Sequence, residues 1–493
     1  MPGDVHEAFA RHERALAADP RRLDDRLAMA AILTASDHPL DAAQLLFEGF
    51  AFAPRDARLR TALATALEGF PLETAAPAAR GVLLDLCLDD NLATQSLADA
   101  VIGILGDAPV PQLAADPLAH ALLGRAVVND AGFERRLTAI RRDLLLGKIS
   151  LDPAFVRALE WQCFNNEYAW FVTPEEAEVL KARPSALYAP GPEQQALRQE
   201  EIAIARGIEA ITPIRGGVSA DVRALYEENP YPRWITLQRP QPLPRAPGPA
   251  PTVLVAGGGA GQHPIHTALS RPDSEILAVD LSRASLAYAA RMARRYGATN
   301  LQFGQGDILE LGSLGRQFDI VESVGVLHHL EDPLAGWRVL AGLLKPGGTM
   351  RIGLYSAIAR RPLQVARDLV KARGFPATPD GIRACRRAII DLPAEHPARS
   401  VLESHDFYSV SGCRDLIMHV QEHTFTLPQI ADCLRELNLD FAGFQHSPAV
   451  GTKFLSQNPS PGALTDLSLW DCFEQRNPDV FRGMYLFLCR RPA

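Results

Sequence analysis

The sequence predicts an α/β protein in which a doubly wound, mostly parallel seven-stranded sheet follows an all-α, repeat-like region. The first half is rich in Ala and Leu at helical spacing. A glycine-rich turn, VLVAGGGAGQHP, then follows an apolar run at residues 253–264. Beyond it, helical segments alternate with short apolar ones, which indicates parallel strands with crossover helices. We predict strands at 253–256, 276–280, 301–304, 318–323 and 348–354, and a closing helix and two strands within 427–490.

Length and composition limit the class of protein. A chain of 493 residues exceeds one ordinary core, so we expect several domains. The net charge of −8 argues against a nucleic-acid binder that neutralises many phosphates. Seven scattered cysteines without a CxxC pair predict reduced thiols in a cytoplasmic protein. The charged first residues resemble no signal peptide, and no apolar run reaches the ~20 residues of a membrane span, so we expect no membrane partner.

Changes in apolar spacing and proline content divide the chain into four parts. Apolar spacing indicates helices before residue 216, six prolines between 240 and 251 indicate an extended linker, and strands begin after it. We predict repeat-like helices at 1–105, a further helical domain at 106–215, an aromatic and proline-rich lid and linker at 216–251, and the α/β domain at 252–493 with an insertion at about 355–425.

The first part contains a 34-residue period. Pro20 and Pro54 are 34 positions apart, and Arg26 matches Arg60 at the same offset. This period, with small residues inside helix pairs, resembles tetratricopeptide repeats. Such repeats stack into a concave surface, so we expect a scaffold or a surface that binds a protein or peptide. A generic helical domain with coincidental proline spacing is the alternative.

The glycine-rich turn predicts a backbone cradle for a ligand, and its spacing excludes two classes. A triphosphate cradle needs GxxxxGK[ST], and no Lys-Ser or Lys-Thr follows here. A dinucleotide fingerprint, GxGxxG, fails because residue 262 is Gln. The spacing that fits is GxGxG, at positions 257, 259 and 261. That spacing alone identifies no ligand.

Motifs further along the chain strengthen the interpretation. Asp280 ends the second strand, where a carboxylate can accept both hydroxyls of a ribose, and Asp307 follows the third strand in GQGDILEL. The fourth strand and its loop read FDIVESVGVLHHLEDP. In this order the motifs resemble class I S-adenosylmethionine-dependent methyltransferases, especially the small-molecule group with LHHL after the fourth strand. The resemblance covers 253–354 and, in outline, 427–490, and it implies a Rossmann-like methyltransferase sheet and S-adenosylmethionine as cofactor.

The resemblance also implies roles for individual residues. Glycines of the turn would line the methionine and ribose, Asp280 would hold the ribose, and Asp307 with Ile308 would bracket the adenine. The segment from Glu322 to His328 would lie beside the sulfonium methyl, with His328 or His329 as candidate base. A buried, backbone-bonded histidine is the alternative for each. The predicted catalytic residues are His328 and Glu322, and the predicted cofactor-binding residues are Gly257, Gly259, Gly261, Asp280, Asp307 and Ile308.

One position departs from the family pattern. Relatives usually carry Asp or Glu where this chain has Val255, and that carboxylate helps to anchor the amino group of the donor. Its absence implies a repositioned contact or a weaker site, and it leaves open a donor-binding module without catalysis. The presence of Asp280 and Asp307 argues against such a module.

Two segments outside the core motifs predict the acceptor side. YEENPYPRW precedes the first strand and predicts a lid, whereas the alternative is a pin between linker and core. The segment 406–426 predicts substrate-facing polarity, whereas the alternative is a surface helix. Its HxxEH at 419–423 matches a zinc motif, but we expect no metal there. The predicted lid and substrate residues are Tyr226, Asn229, Tyr231, Arg233, Tyr408, His419 and His423.

The predicted function is S-adenosylmethionine-dependent methyl transfer to an unidentified acceptor. The substrate is either a small molecule, with the helical half as scaffold, or a protein recruited by the repeats. Glu322 and Glu331 also suggest a guanidinium-binding pair, but Glu331 stands where an acid caps a helix start.

Overall fold

The computed structural model describes residues 2–36, 38–73, 76–214, 216–245 and 247–493, with side chains from residue 6 onward. The part before the sheet is helical. Its helices are α1 (Pro2–Ala18), α2 (Leu23–Ala35), α3 (Pro39–Gly49), α4 (Ala57–Leu67), α5 (Pro77–Cys87), α6 (Ala98–Leu105), α7 (Val110–Ala115), α8 (Pro117–Arg125), α9 (Ala131–Leu145), α10 (Pro153–Asn165), α11 (Pro174–Ala182), α12 (Pro192–Gly207) and α13 (Val218–Glu228).

Local sequence explains where several of these helices begin. Thr173 forms a capping box with Glu176, and proline occupies the first position of α11. Asp152 caps α10 by accepting from the amide of Ala154, and it also stands directly before a proline. The Leu and Ala stripes of α2–α10 then form one continuous apolar core. Each described helix is too short or too polar to cross a membrane.

The 34-residue period corresponds to equivalent contacts in two successive helix pairs. Arg26 on α2 donates from Nη2 to the carbonyl oxygen of Pro20 at 3.0 Å. Arg60 on α4 donates from Nη1 to the carbonyl oxygen of Pro54, also at 3.0 Å. Both arginines are buried, at 4% and 9% exposed, and each also bonds an acid of the following helix. Two consecutive units are therefore built alike, while the assignment to tetratricopeptide repeats stays a prediction.

The second half contains the predicted seven-stranded sheet. Its order is β3-β2-β1-β4-β5-β7-β6, with β1 to β5 parallel and β7 antiparallel to both neighbours. This confirms the fold class. The strands are β1 (Thr252–Ala256), β2 (Glu275–Asp280), β3 (Leu301–Gln305), β4 (Phe318–Val324), β5 (Leu344–Leu354), β6 (Asp440–Phe444) and β7 (Tyr485–Arg490). The crossover helices are α14 (Gln262–Ser270), α15 (Arg283–Tyr296) and α16 (Pro333–Gly342).

A helical segment interrupts the sheet after β5 and packs on the first half of the chain. Its helices are α17 (Arg361–Arg373), α18 (Pro379–Ile390) and α19 (Val410–Met418), and they share a core with Ala131 and Ala169. Arg386 on α18 pairs with Glu134 on α9 at 2.6 Å, and both side chains are buried. Three more helices complete the fold: α20 (Leu427–Glu436), α21 (Pro448–Gln457) and α22 (Leu467–Arg476). The sequence analysis did not predict α21 and α22 between the last two strands.

Candidate functional site

A cavity of about 380 Å³ opens at the carboxyl ends of the parallel strands. This is the edge at which open α/β sheets bind their ligands, because the loops after the strands diverge there. Loops after β1 to β5 form one side, and the segment before β1 folds over it. The lining residues used below are Tyr226, Tyr231, Gly257, Gly258, Gly259, His263, Asp280, Asp307, Ile308, Val326, His329 and Tyr355.

The glycine turn lets the backbone approach the cavity closely. The amides of Gly257 and Gly258 donate to the carbonyl oxygen of Val279, which closes the turn against β2. Gly257 has φ +82°, and a Cβ there would lie 2.2 Å from Val326 Cγ2. Gly259 has φ +49°, and a Cβ there would lie 2.9 Å from the carbonyl oxygen of Tyr231. Only glycine fits these two places without displacing the cavity wall.

Gly261 has a different role from the one expected. It does not line the cavity, and a Cβ on it would lie 2.4 Å from Ala289 Cβ of α15. Its φ of +91° also marks the entry into α14. The third glycine therefore allows two helices to pack closely, instead of lining the ligand.

Two predicted carboxylates lie at the cavity wall. Asp280 accepts hydrogen bonds from the amides of Gly259 at 2.8 Å and Ser282 at 2.9 Å. Burial raises the pKa of Asp280, and these two hydrogen bonds oppose the shift. Asp307 is 2% exposed and caps the turn that begins at Ile308 through the amide of Leu309. Their assignment to ribose and adenine stays a prediction.

The residues present fit an adenosyl donor. A glycine cradle that a Cβ would fill, a carboxylate at the end of β2, and a second at the end of β3 meet around one cavity. Each carboxylate oxygen has two lone pairs, so Asp280 can accept ribose hydroxyls while it holds the turn. Gly257 and Gly259 would contact the methionine side, and Ile308 would contact the ring.

Glu322 supplies a carboxylate next to the position where Val255 lacks one. The two residues pair directly across β1 and β4. Glu322 Oε2 lies 2.8 Å from His263 Nε2 and accepts from Thr267 Oγ1 at 2.8 Å. Burial alone would raise the pKa of Glu322, but the hydrogen bond and charge of His263, with Thr267, lower it to about 2. Arg351 Nη1 lies 3.0 Å from the same nitrogen of His263.

The position of Glu322 bears on its predicted catalytic role, which stays a prediction. Glu322 is 6% exposed and does not line the cavity, whereas His263 does. Glu322 thus contacts the cavity through the imidazole of His263, to which its carboxylate is bonded. The signal for His263 was present in the sequence, since it stands two positions after the last glycine of the turn.

The two histidines after β4 differ in their surroundings. His328 is fully buried, lies outside the cavity lining, and has no hydrogen-bond partner on either ring nitrogen among the described residues. Burial and the neighbouring His329 hold its pKa well below the usual range. His329 lines the cavity, and its Nδ1 lies 2.9 Å from the carbonyl oxygen of Gln421.

The contact with Gln421 fixes the tautomer of His329. A carbonyl oxygen only accepts, so Nδ1 carries a proton, and in the neutral form of the ring the lone pair is on Nε2. Of the two candidate bases, His329 lines the cavity and His328 packs against it from the protein interior, and the role of either as a base stays a prediction. The sequence alone could not distinguish two adjacent histidines in one loop.

Two of the four predicted lid residues line the cavity. Tyr226 and Tyr231 line it, with their rings stacked at 6.0 Å. Tyr226 Oη donates to Asp415 Oδ1 at 2.7 Å. Arg233 instead lies over the rings of Phe164 and Tyr288, at 4.5 and 5.0 Å, and so fastens the lid to α10 and α15. Asn229 does not line the cavity.

The predicted substrate residues of the later segment lie behind the cavity wall. His419 stacks on His329 at 3.9 Å, and its Nε2 lies 3.2 Å from Tyr226 Oη. The His423 amide donates to the carbonyl oxygen of His328 at 2.8 Å. Tyr408 does not reach the cavity, since its hydroxyl donates to the carbonyl oxygen of Leu402 within the helical segment. Its ring packs in that core, and α19 is buried rather than a surface helix.

Three of these groups could in principle approach one metal ion. His329, Asp415 and His419 offer ligand atoms within 4.8 Å of one another. The two imidazoles are stacked at an interplanar angle of 28°, so their in-plane lone pairs run alongside each other and do not converge. Tyr226 Oη already contacts both Asp415 and His419. The arrangement favours a hydrogen-bonded cluster, and the absence of a metal stays a prediction.

Comparisons with known proteins give results consistent with this geometry. A family model described as a methyltransferase domain matches residues 254–350. An uncharacterized protein from Synechococcus sp. is 30% identical over 259 residues, which are 46% of this chain and 60% of that protein. A ubiquinone biosynthesis O-methyltransferase from Cereibacter sphaeroides is 30% identical over 116 residues, which are 24% of this chain and 44% of that enzyme. The chain thus spans less than two thirds of each relative.

Solved structures match about half of the chain at low identity. PKMT2 from Rickettsia typhi, in complex with AdoHcy, is 16% identical with a TM-score of 0.37, over 49% of this chain and 48% of that one. Magnesium protoporphyrin IX methyltransferase from Synechocystis, with bound SAH, is 16% identical with a TM-score of 0.28, over 49% and 75%. The family match spans β1 to most of β5 and the loops that form the donor side of the cavity. Residues 254–350 of this chain therefore form a methyltransferase domain.

Proposed function

We propose that the chain transfers the methyl group of S-adenosylmethionine to an acceptor that enters beside Tyr226, Tyr231 and His329. The main support for this proposal is that one cavity has two distinct sides. The glycine turn, Asp280 and Asp307 form the donor side, and the lid and the loop after β4 form the acceptor side. A site that only bound the donor would need no polar wall opposite it.

The residues on the two sides of the cavity would have different roles, one set binding the donor and the other aligning the acceptor. The bound donor supplies a methyl group on a positively charged sulfur. The glycine turn and the two aspartates would hold it in one orientation, and the tyrosines would align the acceptor, which lowers the entropic part of the barrier. An acceptor that arrives protonated needs a base, and His329 Nε2 is the free lone pair at the wall.

A protein substrate recruited by the helical half is the second candidate function. A groove of about 820 Å³ lies where α4 and α5 meet the linker residues 238–242. Arg55 and Asp90 line it with exposed side chains, so it offers charges of both signs to a peptide. The alternative is that the repeats serve only as a scaffold. We also propose a cytoplasmic location, which the seven free cysteines support.

The experiment is calorimetric titration of the full chain with S-adenosylmethionine and with S-adenosylhomocysteine. We expect micromolar binding of both, weakened at least about tenfold by Asp280→Ala because the ribose hydroxyls lose their acceptor. Glu275→Gln is the matched control on the same strand, since that side chain is exposed at the far end of β2. Absence of binding at high micromolar concentration would exclude the proposed function.

Transfer itself requires a second measurement. The full chain is incubated with cell lysate and the donor labelled in its methyl group, and label is counted in protein and small-molecule fractions. Label in either fraction that is lost in Asp280→Ala supports catalysis, and the fraction distinguishes the two substrate classes. Donor binding without any transfer would leave a non-catalytic binding module.

A further inference from the structure

We infer that the acceptor is a cationic amine, held as an ammonium group by the tyrosine wall of the cavity and by Asp406 and Asp415 behind it. This inference rests on the proposed function and names its substrate class. The domain would then form a nitrogen–carbon bond. Neither aspartate was singled out from the sequence.

The carboxylates of Asp406 and Asp415 lie next to the tyrosines that line the cavity. Asp415 on α19 accepts the hydrogen bond of Tyr226 at 2.7 Å, and its side chain is 2% exposed. Asp406 lies in the turn before α19, and the hydroxyl of Tyr231 is close enough to lower the pKa of its carboxyl group. The negative charges of both carboxylates also act on Tyr355, the third tyrosine of the wall. One acidic layer thus lies directly behind the aromatic layer.

One cation lies near this acidic layer: the guanidinium of Arg360 lies 3.3 Å from the ring centre of Tyr355, and its charge lowers the pKa of Asp406. In the part of the chain that the structure describes, neither carboxylate of this layer forms an ion pair with a lysine or arginine. The nearby Arg360 and Arg367 both pair with Glu422, and Arg414 pairs with Glu228. His419 lies 3.9 Å from Asp415, but burial and His329 lower the pKa of His419 to about 4, so it is neutral at pH 7.

Two arginines, Arg360 and Arg367, lie near three carboxylates, those of Glu422, Asp406 and Asp415, so the cluster keeps an excess of negative charge that an entering cation would balance. Desolvation of a carboxylate is repaid only by an opposite charge or by several hydrogen bonds. Burial and the charge of Asp415 raise the pKa of Asp406 to about 6, which is the expected response of two crowded acids. An entering ammonium group would relieve this repulsion, whereas a carboxylate or phenolate acceptor would increase it.

The tyrosine faces suit the same ligand. Aromatic rings attract cations through the negative potential over their faces, and tyrosine and carboxylate together favour an ammonium over a neutral group. Tyr226 and Tyr231, stacked at 6.0 Å, both line the cavity, whereas the ring of Tyr355 already carries the guanidinium of Arg360 at 3.3 Å. His329 Nε2 lies on the wall with a free lone pair, where it can take a proton from the bound group.

The reaction balances without any further reagent. The acceptor R–NH3+ gives one proton to His329 Nε2 and becomes R–NH2. Its nitrogen lone pair forms the bond to the methyl carbon, while the carbon–sulfur bond breaks and its electron pair goes to sulfur. The products are R–NH2+–CH3 and neutral S-adenosylhomocysteine, and His329 then releases its proton to solvent.

The first test compares two probes of equal shape on the full chain with S-adenosylhomocysteine bound. The chain is titrated calorimetrically with n-butylamine, which is cationic at pH 7.5, and with n-butanol, which is neutral. We expect the amine to bind at least about tenfold more tightly, as charge-assisted and cation–π contacts predict. Equal affinities, or no binding of the amine, would overturn the inference and leave the proposed function intact.

Variants then assign the preference to the acidic layer. In Asp406→Asn and Asp415→Asn the preference for the amine should fall towards one, while S-adenosylmethionine affinity stays within about twofold. Asp380→Asn is the matched control, because Asp380 lies in the same helical segment with its side chain 95% exposed. An undiminished preference in both folded variants contradicts the inference. If neither variant folds, the wild-type comparison still decides.

The second test identifies the bond that forms. Labelled product from the lysate experiment is treated with mild base and then with hot acid. N-methyl label survives both, and this is the expected result. Label released as methanol by base indicates a methyl ester, and label recovered as an oxygen or sulfur ether excludes the amine. Failure of S-adenosylmethionine to bind at all would instead count against the proposed function.

Discussion

The donor side of the cavity is formed mainly by backbone, whereas the acceptor side is formed by side chains. The donor side uses backbone: the turn at 257–259, its amides bonded to Val279 and Asp280, and the ends of consecutive strands. The acceptor side uses side chains from four separate segments, joined by hydrogen bonds such as that from Tyr226 to Asp415, 189 residues apart. A backbone cradle tolerates few substitutions, whereas a layer of side chains can change one residue at a time. Acceptor choice can therefore vary while donor binding stays the same.

The largest expected effect comes from breaking the backbone side. Gly257→Ala would force a Cβ against Val326 at a φ of +82°, so the turn must move out of the cavity. We expect S-adenosylmethionine affinity to fall at least about 100-fold and stability to fall by about 2–3 kcal/mol. Calorimetry and urea unfolding measure the two effects. Gly312→Ala is the control, because that glycine has open space and an ordinary φ. Unchanged donor affinity in Gly257→Ala would show that the turn is not the cradle.

The next largest effect is expected on the free energy of unfolding when Glu322 is replaced. The pKa of Glu322 is lowered to about 2 against an unfolded value of 4.5, so its stabilisation is present above pH 4.5 and is lost as the pH falls towards 2. Glu322→Gln should therefore cost up to about 3 kcal/mol at pH 7 and less at pH 3. Urea unfolding at both values measures this. Glu331→Gln, an exposed acid in the following loop, should cost little. Equal losses at pH 7 and pH 3 would contradict the charge-based explanation.

A smaller effect of opposite sign is expected on the acceptor side. Burial and Asp415 raise the pKa of Asp406 from 3.8 to about 6, so the folded chain binds this proton more tightly than the unfolded chain. Stability then falls as the pH rises through 4 to 6, and Asp406→Asn should gain about 1–2 kcal/mol relative to wild type above pH 6. Urea unfolding of both proteins at pH 4.5 and pH 7.5 measures the gain. A variant that is less stable at pH 7.5 would mean that Asp406 is already balanced.

The smallest effect separates the two sides most cleanly. Tyr226→Phe removes one hydroxyl from the acceptor wall, so we expect methyl incorporation to fall about tenfold with donor affinity within twofold. Tyr408→Phe also removes a buried hydroxyl–oxygen hydrogen bond, but outside the cavity, and should leave incorporation unchanged. Rates are compared with labelled donor in lysate. A parallel loss of donor affinity in Tyr226→Phe would mean that the two sides are not independent.

The donor side was predictable because its signals are local. Asp280 and Asp307 each end a strand, and strand order fixes where such residues meet. The acceptor side was not, because it depends on which face each loop presents. His329 and His328 are adjacent, and the hydrogen bond to Gln421 decides which one lines the cavity. Asp415 stands four residues before His419, a spacing that places both on one helix face, but nothing local indicates Tyr226 as their partner.

For two further residues, the position in the structure differs from the one that the sequence motif implied, and the reason is packing. Gly261 fits the glycine pattern yet packs against Ala289, because helix–helix contact also requires a residue without Cβ. The role of Glu322 depends on the register of β4 against β1, which no single strand reveals. Family resemblance gave the chemistry of these positions but not their neighbours.

The ion pair between Arg386 and Glu134 has a consequence for how the chain can be divided. Arg386 also donates to the carbonyl oxygens of Ala169 and Phe407, so one guanidinium joins α9 to the residue next to Asp406. Removing the helical half would leave this arginine without its carboxylate and expose the apolar surface around it, at a cost of about 3–5 kcal/mol for the broken pair alone. A truncated chain that begins at residue 252 would lack Tyr226 and Tyr231 and would also lose this support for the helical segment, so acceptor specificity has to be measured with the helical half present.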